Sequence, residues 1–135
     1  MIYKATTDDL DTILKFDKHI AKQELLNLIN QKRVYIIKQN QAFAGWLRYN
    51  LFWDNTPFMN MLYVLDDFQK QGLGKQMVSY WENEMKSLGY KYLLTSTQSN
   101  ETAKFFYEKL GYKNIGGFYY LDDPYEIIYA KKLQD

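Results

Sequence analysis

The stretch DDFQKQGLGKQMVSYW, Asp66–Trp81, places two glycines one residue apart at the start of an amphipathic helical pattern. The first amides of a helix have no partner within the helix, and the helix dipole adds positive potential at the same end. Gly72 and Gly74 would let an anion approach the backbone closely, and Lys70 and Lys75 add positive charge. The stretch predicts either an anion-binding turn or a tight strand-to-helix turn without a ligand.

Two common phosphate-binding patterns do not fit this turn. A P-loop would need a glycine at position 69 and a serine or threonine at position 76, and both residues are glutamine. A dinucleotide-binding fingerprint would need a third glycine at position 77, where the chain has Met77. The glycine spacing by itself therefore leaves the ligand open.

The hydrophobic periodicity of the whole chain predicts the element order βααβββαβαββ. Thr7 is expected to cap the first helix and Asn100 the last one, and residues 54–57 are expected to form a turn between two strands. The early strands should pair antiparallel, whereas the strand–helix–strand unit around Gly72 should give one parallel pair. We expect a single α/β domain over residues 1–135, with a twisted mixed sheet that has helices on both faces.

The composition is that of a globular domain, and it narrows the classes of site. The 135 residues are 47 % hydrophobic and carry a formal net charge of +1 without a basic block, so we expect no nucleic-acid partner. The chain has no cysteine and one histidine, His19, so we expect no metal site and no cysteine nucleophile. No signal-peptide pattern and no apolar stretch long enough to span a bilayer are seen, which predicts a cytoplasmic protein without a membrane partner.

Two longer patterns resemble the signatures of the GNAT family of N-acetyltransferases. Gln69, Gly72 and Gly74 fit its acyl-CoA-binding pattern, Gln/Arg-x-x-Gly-x-Gly/Ala, and they follow a strand that ends with Leu62 and Val64. The segment NETAKFFYEKLGY, residues 100–112, is similar to the second signature, Asn-x-x-Ala-x-x-Phe-Tyr-x-x-x-Gly-Phe/Tyr. The predicted element order also resembles the order of this family over essentially the whole chain.

The resemblance implies an acetyl-CoA-dependent N-acetyltransferase, in which a primary amine attacks the thioester directly in a ternary complex. Backbone N–H groups of residues 71–75 would hold the pyrophosphate of acetyl-CoA, and the pantetheine arm would pair with the strand edge at residues 62–64. A backbone N–H near Val64 would stabilise the oxyanion. The resemblance assigns cofactor contacts to Leu62, Tyr63, Val64, Gln69, Lys70, Gln71, Gly72, Leu73, Gly74, Lys75, Asn100 and Tyr107.

Tyr107 matches the position of the family's general acid, and by this resemblance it protonates the leaving thiolate. A phenol has an ordinary pKa of about 10 and a cysteine-like thiol one of about 8.5. We expect the proton to pass to the sulfur as the carbon–sulfur bond breaks. The alternative for this residue is an amphipathic tyrosine of the core.

No general base is assigned. The positions that carry a glutamate in some members of the family correspond to about Phe58 and Thr95, and neither is a carboxylate. Glu24, Asp54 and His19 are conceivable bases, as is a chain of water molecules.

The acceptor stays open between a small amine and a protein or peptide amine. Aromatic side chains are expected to line its groove, with nearby carboxylates that would favour a cationic amine. The aromatic set is Trp46, Tyr49, Phe52, Trp53, Phe118, Tyr119 and Tyr120, and the carboxylates are Asp54, Asp122 and Asp123. A non-catalytic acyl-CoA-binding module and a scaffold without cofactor remain alternatives, and a homodimer formed by strand edges is possible.

Overall fold

The computed structural model describes residues 1–133, and its helices and strands follow the predicted order, which is confirmed. A 3-10 turn, Thr7–Asp9, precedes the first helix, and a second one, Asp66–Phe68, follows the fourth strand. The α-helices are α1 (Leu10–Phe16), α2 (Lys22–Asn30), α3 (Leu73–Ser87) and α4 (Ala103–Lys109). The strands are β1 (Ile2–Lys4), β2 (Val34–Gln39), β3 (Ala42–Phe52), β4 (Thr56–Val64), β5 (Tyr92–Gln98), β6 (Lys113–Phe118) and β7 (Glu126–Lys132).

The seven strands form one mixed sheet in the order β1-β2-β3-β4-β5-β7-β6. β2 pairs antiparallel with β1 and with β3, and β7 pairs antiparallel with β5 and with β6. β4 and β5 pair parallel, with Phe58 opposite Leu94 and Met59 opposite Thr95. The predicted parallel pair around the glycine turn is therefore confirmed, as is the mixed α/β fold class.

The residues group into two compact units. Unit 1 contains Met1–Asn50 and Met61–Trp81, and unit 2 contains Leu51–Asn60 and the chain from Glu82 onward. The expectation of a single domain over residues 1–135 stays a prediction.

Helices cover both faces of the sheet within unit 1. Successive side chains of β2 point to opposite faces, so Val34 and Ile36 join the core beneath α1 and α2, together with Ile13, Leu25 and Trp46. On the opposite face, two ring pairs join the sheet to α3. These pairs are Tyr35 with Tyr80, at 5.2 Å between centroids, and Tyr49 with Trp81, at 5.9 Å.

Unit 2 has a core of tyrosines. The ring of Tyr107 lies 5.8 Å from that of Tyr112 and 6.3 Å from that of Tyr129, measured between centroids. Glu82 accepts hydrogen bonds from the Tyr112 hydroxyl, at 2.7 Å, and from Lys131 Nζ, at 3.0 Å. These polar partners let tyrosines fill an interior that other chains build from leucine.

Two local predictions were wrong, and a third was displaced by one residue. The first turn begins after Thr6, whose backbone N–H donates to Asp9 Oδ2 at 2.8 Å, so Thr7 lies inside the turn instead of capping it. Thr102, and not Asn100, immediately precedes α4. The turn expected at residues 54–57 begins one residue earlier and covers residues 53–55, where Trp53 and Asp54 have φ angles of 55° and 63°, and β4 begins at Thr56.

No helix in the part of the chain that the structure describes is long and apolar enough to cross a membrane. No group of three or more histidine, aspartate or glutamate side chains among residues 1–133 is placed to hold a metal ion.

Candidate active site

The glycine turn in unit 1 presents unpartnered backbone donors at the start of α3. The first helical bond is donated by Gln76 N to Gly72 O at 3.1 Å, which leaves the amides before it outside the helical ladder. Among residues 1–133, no acceptor is found for the N–H groups of residues 71–75. No acidic residue lies in the first turn of α3 to compete for them. The arrangement is suited to an anion with several oxygen atoms.

The backbone of this turn depends on residues with left-handed torsions. Lys70 has φ 63° and Gly72 has φ 78°. A Cβ built on Gly72 would meet no atom within 4 Å, so the space in front of this residue is open. Glycine at position 72 thus serves both the turn and the open approach to its amides.

The side chain of Gln69 ties the turn to the end of β4. Its Nε2 donates to Val64 O at 2.8 Å and to Asp66 Oδ1 at 3.2 Å. The neighbouring Gln71 accepts a hydrogen bond from Gln39 Nε2, at 3.3 Å. Both predicted cofactor residues therefore also hold the loop in place, whereas the side chain of Lys70 is exposed.

The end of β4 is an edge within unit 1. In this unit the strands follow the order β1-β2-β3-β4, so the segment from Met61 to Val64 is outermost. β3 approaches this segment very closely at Gly45, where an added Cβ would lie 2.5 Å from Tyr63 O. Leu62 and Val64 are half-buried, and Tyr63 is 42 % exposed. A peptide-like chain could pair with such an edge by backbone hydrogen bonds.

A cavity of about 660 Å³ lies in unit 1 beside the same strand; we call it the β4 cavity. Its walls come from the end of α1, the following loop, β3, β4 and the second 3-10 turn. The lining residues are Phe16, His19, Trp46, Met61, Tyr63, Leu65, Asp66, Asp67 and Phe68. Of the three conceivable bases, this cavity contains His19 and neither Glu24 nor Asp54.

A buried ion pair supports two parts of this cavity. The carboxylate of Asp17 accepts hydrogen bonds from Arg48 Nε at 2.8 Å, from Trp46 Nε1 at 3.0 Å and from the His19 N–H at 3.1 Å. Burial by itself would raise the pKa of Asp17. The hydrogen bond and charge of Arg48 and the bonds from His19 and Trp46 outweigh it and hold the pKa below its ordinary 3.8. Asp17 thus fixes the positions of Trp46 and His19.

Tyr107 lies in unit 2 and is only 7 % exposed. Burial raises the pKa of Tyr107 to about 12; a hydrogen bond with Thr95 lowers it and the charge of Glu101 raises it. Thr95 Oγ1 also donates to Met59 O at 3.0 Å. The hydrogen bonds of Thr95 thus connect Tyr107 with the parallel β4–β5 pair.

This pKa changes the expected chemistry of Tyr107. Transfer of a proton from a phenol with a pKa of about 12 to a thiolate of ordinary pKa, about 8.5, is unfavourable by about 3.5 units, or roughly 5 kcal/mol. The transfer is already uphill by about 1.5 units at the ordinary phenol value of about 10, so the expected passage of the proton to the sulfur was wrong in direction. Tyr107 is better suited to donate a hydrogen bond to a developing thiolate while it keeps its proton.

The predicted aromatic groove is divided between the units. Trp46 lines the β4 cavity, whereas Tyr49 is buried in the core of unit 1. Phe52, Trp53 and Phe118 line a different, mainly apolar cavity of about 450 Å³ in unit 2. The exposed Tyr119 and Tyr120 and the carboxylates Asp54, Asp122 and Asp123 line neither cavity.

Eight residues of the β4 cavity and its support were missed: Phe16, Asp17, Arg48, Met61, Leu65, Asp66, Asp67 and Phe68. A signal for one of them was present, because Arg48 interrupts the apolar run of β3, and a cation within a buried strand requires a partner. Phe16 and Asp67 look like ordinary exposed residues in the sequence, and only the fold brings them together.

Comparison with protein families gives one match over most of the chain. The family model described as the acetyltransferase (GNAT) family matches residues 3–112. Among curated proteins, no match is found.

Solved structures with the same fold are numerous. A GNAT-family acetyltransferase from Bacillus cereus is 26 % identical, with a TM-score of 0.82 over 100 % of this chain and 98 % of that one. The ribosomal-protein-S18-alanine N-acetyltransferase from Escherichia coli is 21 % identical, with a TM-score of 0.81 over 100 % and 94 % of the two chains. PaiA N-acetyltransferase from Thermoplasma acidophilum, solved in complex with coenzyme A, is 19 % identical, with a TM-score of 0.80 over 98 % of each chain.

Proposed function

The chain belongs to the GNAT family of acetyltransferases, and on that premise we propose that it transfers the acetyl group of acetyl-CoA to a primary amine. The observation that carries the proposal is the set of unpartnered amides at residues 71–75, in front of an open Gly72. Two solved relatives of the same fold, the Thermoplasma PaiA enzyme and N-acetylglutamate synthase from Neisseria gonorrhoeae, were obtained with coenzyme A.

The cofactor contacts follow from the two exposed backbone features of unit 1. The amides of residues 71–75 would bind the pyrophosphate, and Lys70 and Lys75 would add charge to an already positive helix end. The edge from Leu62 to Val64 would pair with the amides of the pantetheine arm. Backbone groups at an unpaired strand edge need partners, so this contact would satisfy donors and acceptors that otherwise face solvent.

The protein's part in the transfer is to place charge-stabilising donors. The amine nitrogen attacks the carbonyl carbon as a neutral base, the carbonyl electron pair moves to oxygen, and the Val64 N–H would donate to that oxygen. The carbon–sulfur bond then breaks, and the Tyr107 hydroxyl would donate a hydrogen bond to the sulfur. The proton lost by the attacking nitrogen is the one that finally neutralises the thiolate, so Tyr107 keeps its own proton throughout. The second predicted contact near the arm, Asn100, is kept as part of the proposal.

Amine deprotonation is assigned to solvent. The two positions where a glutamate base would be expected hold Phe58 and Thr95. The hydroxyl of Thr95 is already hydrogen-bonded to Met59 and Tyr107. An aliphatic amine with a pKa of about 10.4 is neutral in about 0.4 % of molecules at pH 8 and in about 4 % at pH 9. The rate with limiting acceptor should therefore rise about tenfold per pH unit across this range.

A pair of glycine variants tests the proposal. Gly72 and Gly89 both have left-handed torsions, with φ 78° and 93°, and neither has an atom within 4 Å of an added Cβ. Alanine at either position should therefore cost a similar 1–2 kcal/mol of folding free energy, measured by thermal unfolding. Only Gly72→Ala should weaken coenzyme A binding, by about tenfold or more, because its methyl group would occupy the approach to the amides. Equal affinities of the two variants in calorimetry would contradict the assignment.

A non-catalytic acyl-CoA-binding module is the second candidate. It is favoured by the absence of a carboxylate at Phe58 and Thr95 and by the high pKa of Tyr107. An assay of coenzyme A release distinguishes the two candidates, since a binding module gives no release above the rate of thioester hydrolysis with any amine.

Assembly and location complete the proposal. β6 is the last strand of the sheet and all six of its residues are exposed, which supports pairing between two copies at this edge. Sedimentation at several concentrations tests the homodimer.

We retain the cytoplasmic location expected from the sequence, and fractionation of expressing cells tests it.

A further inference from the structure

We propose that the β4 cavity receives the acceptor, and that it selects aliphatic amines carrying a second positive charge, the class of small diamines. This inference rests on the proposed acetyl transfer, because it names the substrate class of the same reaction. The charge, the aromatic walls and the position of the cavity each support it.

The cavity lies on the strand segment that is proposed to bind the thioester arm. Met61, Tyr63 and Leu65 line it, whereas the intervening Leu62 and Val64 do not. Alternate residues of a strand point to opposite faces, so the cavity opens on one face of the segment whose edge is exposed. A small acceptor held there lies beside the Val64 N–H that is assigned to the oxyanion.

The cavity has a negative electrostatic character. Asp66 and Asp67 line it, and no lysine or arginine does. The guanidinium of Arg48, behind the wall, is neutralised by Asp17 at 2.8 Å. Asp66 accepts hydrogen bonds from Tyr63 and Gln69, whereas Asp67 has no hydrogen-bond partner among residues 1–133. The carboxylate of Asp67 is therefore available to a ligand cation.

Aromatic rings form much of the remaining wall. The rings of Trp46 and Tyr63 are 5.5 Å apart and those of Phe16 and Trp46 are 6.3 Å apart, measured between centroids. Phe68 also lines the cavity. The face of an aromatic ring attracts an ammonium group and repels a carboxylate, so these walls act in the same direction as Asp66 and Asp67.

A second positive charge on the acceptor is what allows it to use these contacts during the reaction. An amine must be neutral to attack the thioester, so the reacting nitrogen gains little from carboxylates and ring faces at the moment of transfer. Only a group that stays cationic throughout the reaction uses these contacts in both the ground state and the transition state. A cavity built this way favours a substrate whose second amino group remains protonated.

Three acceptors with a four-carbon chain test the proposal: 1,4-diaminobutane, butylamine and 4-aminobutanoate. They present the same reacting amine and differ only at the far end, which is an ammonium, a methyl or a carboxylate group. The kcat/KM, measured from coenzyme A release, should be about tenfold higher for the diamine than for butylamine. This factor comes in addition to the twofold advantage of a substrate with two equivalent amines. The kcat/KM should be lowest for 4-aminobutanoate. Asp67→Asn should reduce the diamine-to-butylamine ratio about fivefold. Asp11→Asn, which removes an exposed carboxylate of α1 that does not line the cavity, should leave the ratio as in the wild type.

A binding measurement separates this inference from the proposed function. In ¹H–¹⁵N spectra, 1,4-diaminobutane should shift the indole N–H signal of Trp46 and the amide of Tyr63 at lower concentration than butylamine does. Turnover without preference for the diamine, or an unchanged ratio in Asp67→Asn, overturns the inference and leaves acetyl transfer intact. If coenzyme A does not bind, the proposed function fails. The spectra still decide whether the cavity binds dications, and an absence of shifts overturns the inference on its own.

Discussion

Replacement of Tyr107 by phenylalanine should lower kcat by about 10²–10³, because the hydroxyl is the proposed hydrogen-bond donor to the leaving sulfur. The ring stays in place, so packing against Tyr112 and Tyr129 is retained. Loss of the hydrogen bond with Thr95 should cost only about 0.5–1.5 kcal/mol of stability. A fall in rate much larger than the fall in stability would therefore report chemistry.

The raised pKa of Tyr107 adds a pH signature to this prediction. Burial favours the neutral phenol, so the hydroxyl keeps its proton up to a pKa of about 12. At pH 10 about 1 % of Tyr107 would be deprotonated, compared with about 50 % for a phenol with an ordinary pKa of about 10. Loss of the Tyr107 proton should therefore cause no fall in the wild-type kcat between pH 8 and pH 10. The Tyr107→Phe variant should accordingly remove no descending limb from the pH profile in this range.

The assay is single-turnover acetyl transfer, which isolates the chemical step from release of product. Tyr112→Phe is the matched control, because it removes a buried hydroxyl that is bonded to Glu82 at 2.7 Å in the same cluster. The control should lose stability without a comparable loss of rate. If Tyr107→Phe turns over like the wild type, or if both variants lose the same factor, Tyr107 is a core residue and the assignment is refuted.

The ion pair, the close strand contact and the phosphate site give three further predictions. Asp17→Asn leaves Arg48 buried without its counter-charge and should cost about 3–5 kcal/mol, seen as a fall in Tm on the order of ten degrees. Because the folded pKa of Asp17 is depressed, its stabilisation is present above about pH 4 and is lost as the pH falls further. The variant should therefore show a shallower loss of stability in acid, and an unchanged acid limb would argue against the pair. Gly45→Ala forces a methyl group to within 2.5 Å of Tyr63 O, so it should cost about 1–3 kcal/mol in denaturant titrations and also weaken coenzyme A binding. Retained affinity would mean that the β4 edge is not used. The coenzyme A affinity should fall as salt is raised from 50 mM to 500 mM, and calorimetry showing no salt dependence would remove Lys70 and Lys75 from the phosphate site.

The glycine turn and the order of elements could be predicted from local sequence. Gly72 is needed for a left-handed torsion, and the helical period that follows it is uninterrupted, so the turn and α3 are both encoded within a few residues. The caps were placed wrongly at Thr7 and Asn100 because several polar residues lie near each helix start, and any of them can accept a hydrogen bond from the first turn.

The acceptor cavity could not be predicted, because it is built from long-range contacts. Asp17 is joined to Arg48 and Trp46 across 31 and 29 residues of sequence, and nothing in the local pattern distinguishes it from a solvated aspartate. The pKa of Tyr107 is equally invisible in the sequence, since burial and the charge of Glu101 arise only in the folded chain. The expectation of a favourable proton transfer to the thiolate failed for this reason and because the ordinary pKa values already oppose it.

A ¹H–¹⁵N titration of the protein with coenzyme A tests the central assignment most directly, with pantetheine, which lacks the diphosphate, as the matched ligand. Coenzyme A should shift the amide signals of residues 71–75 by far the most. Pantetheine, at higher concentration, should shift the residues of the β4 edge and leave the turn unchanged. Binding of coenzyme A without a response from residues 71–75, or an equal response of this turn to both ligands, would contradict the assignment.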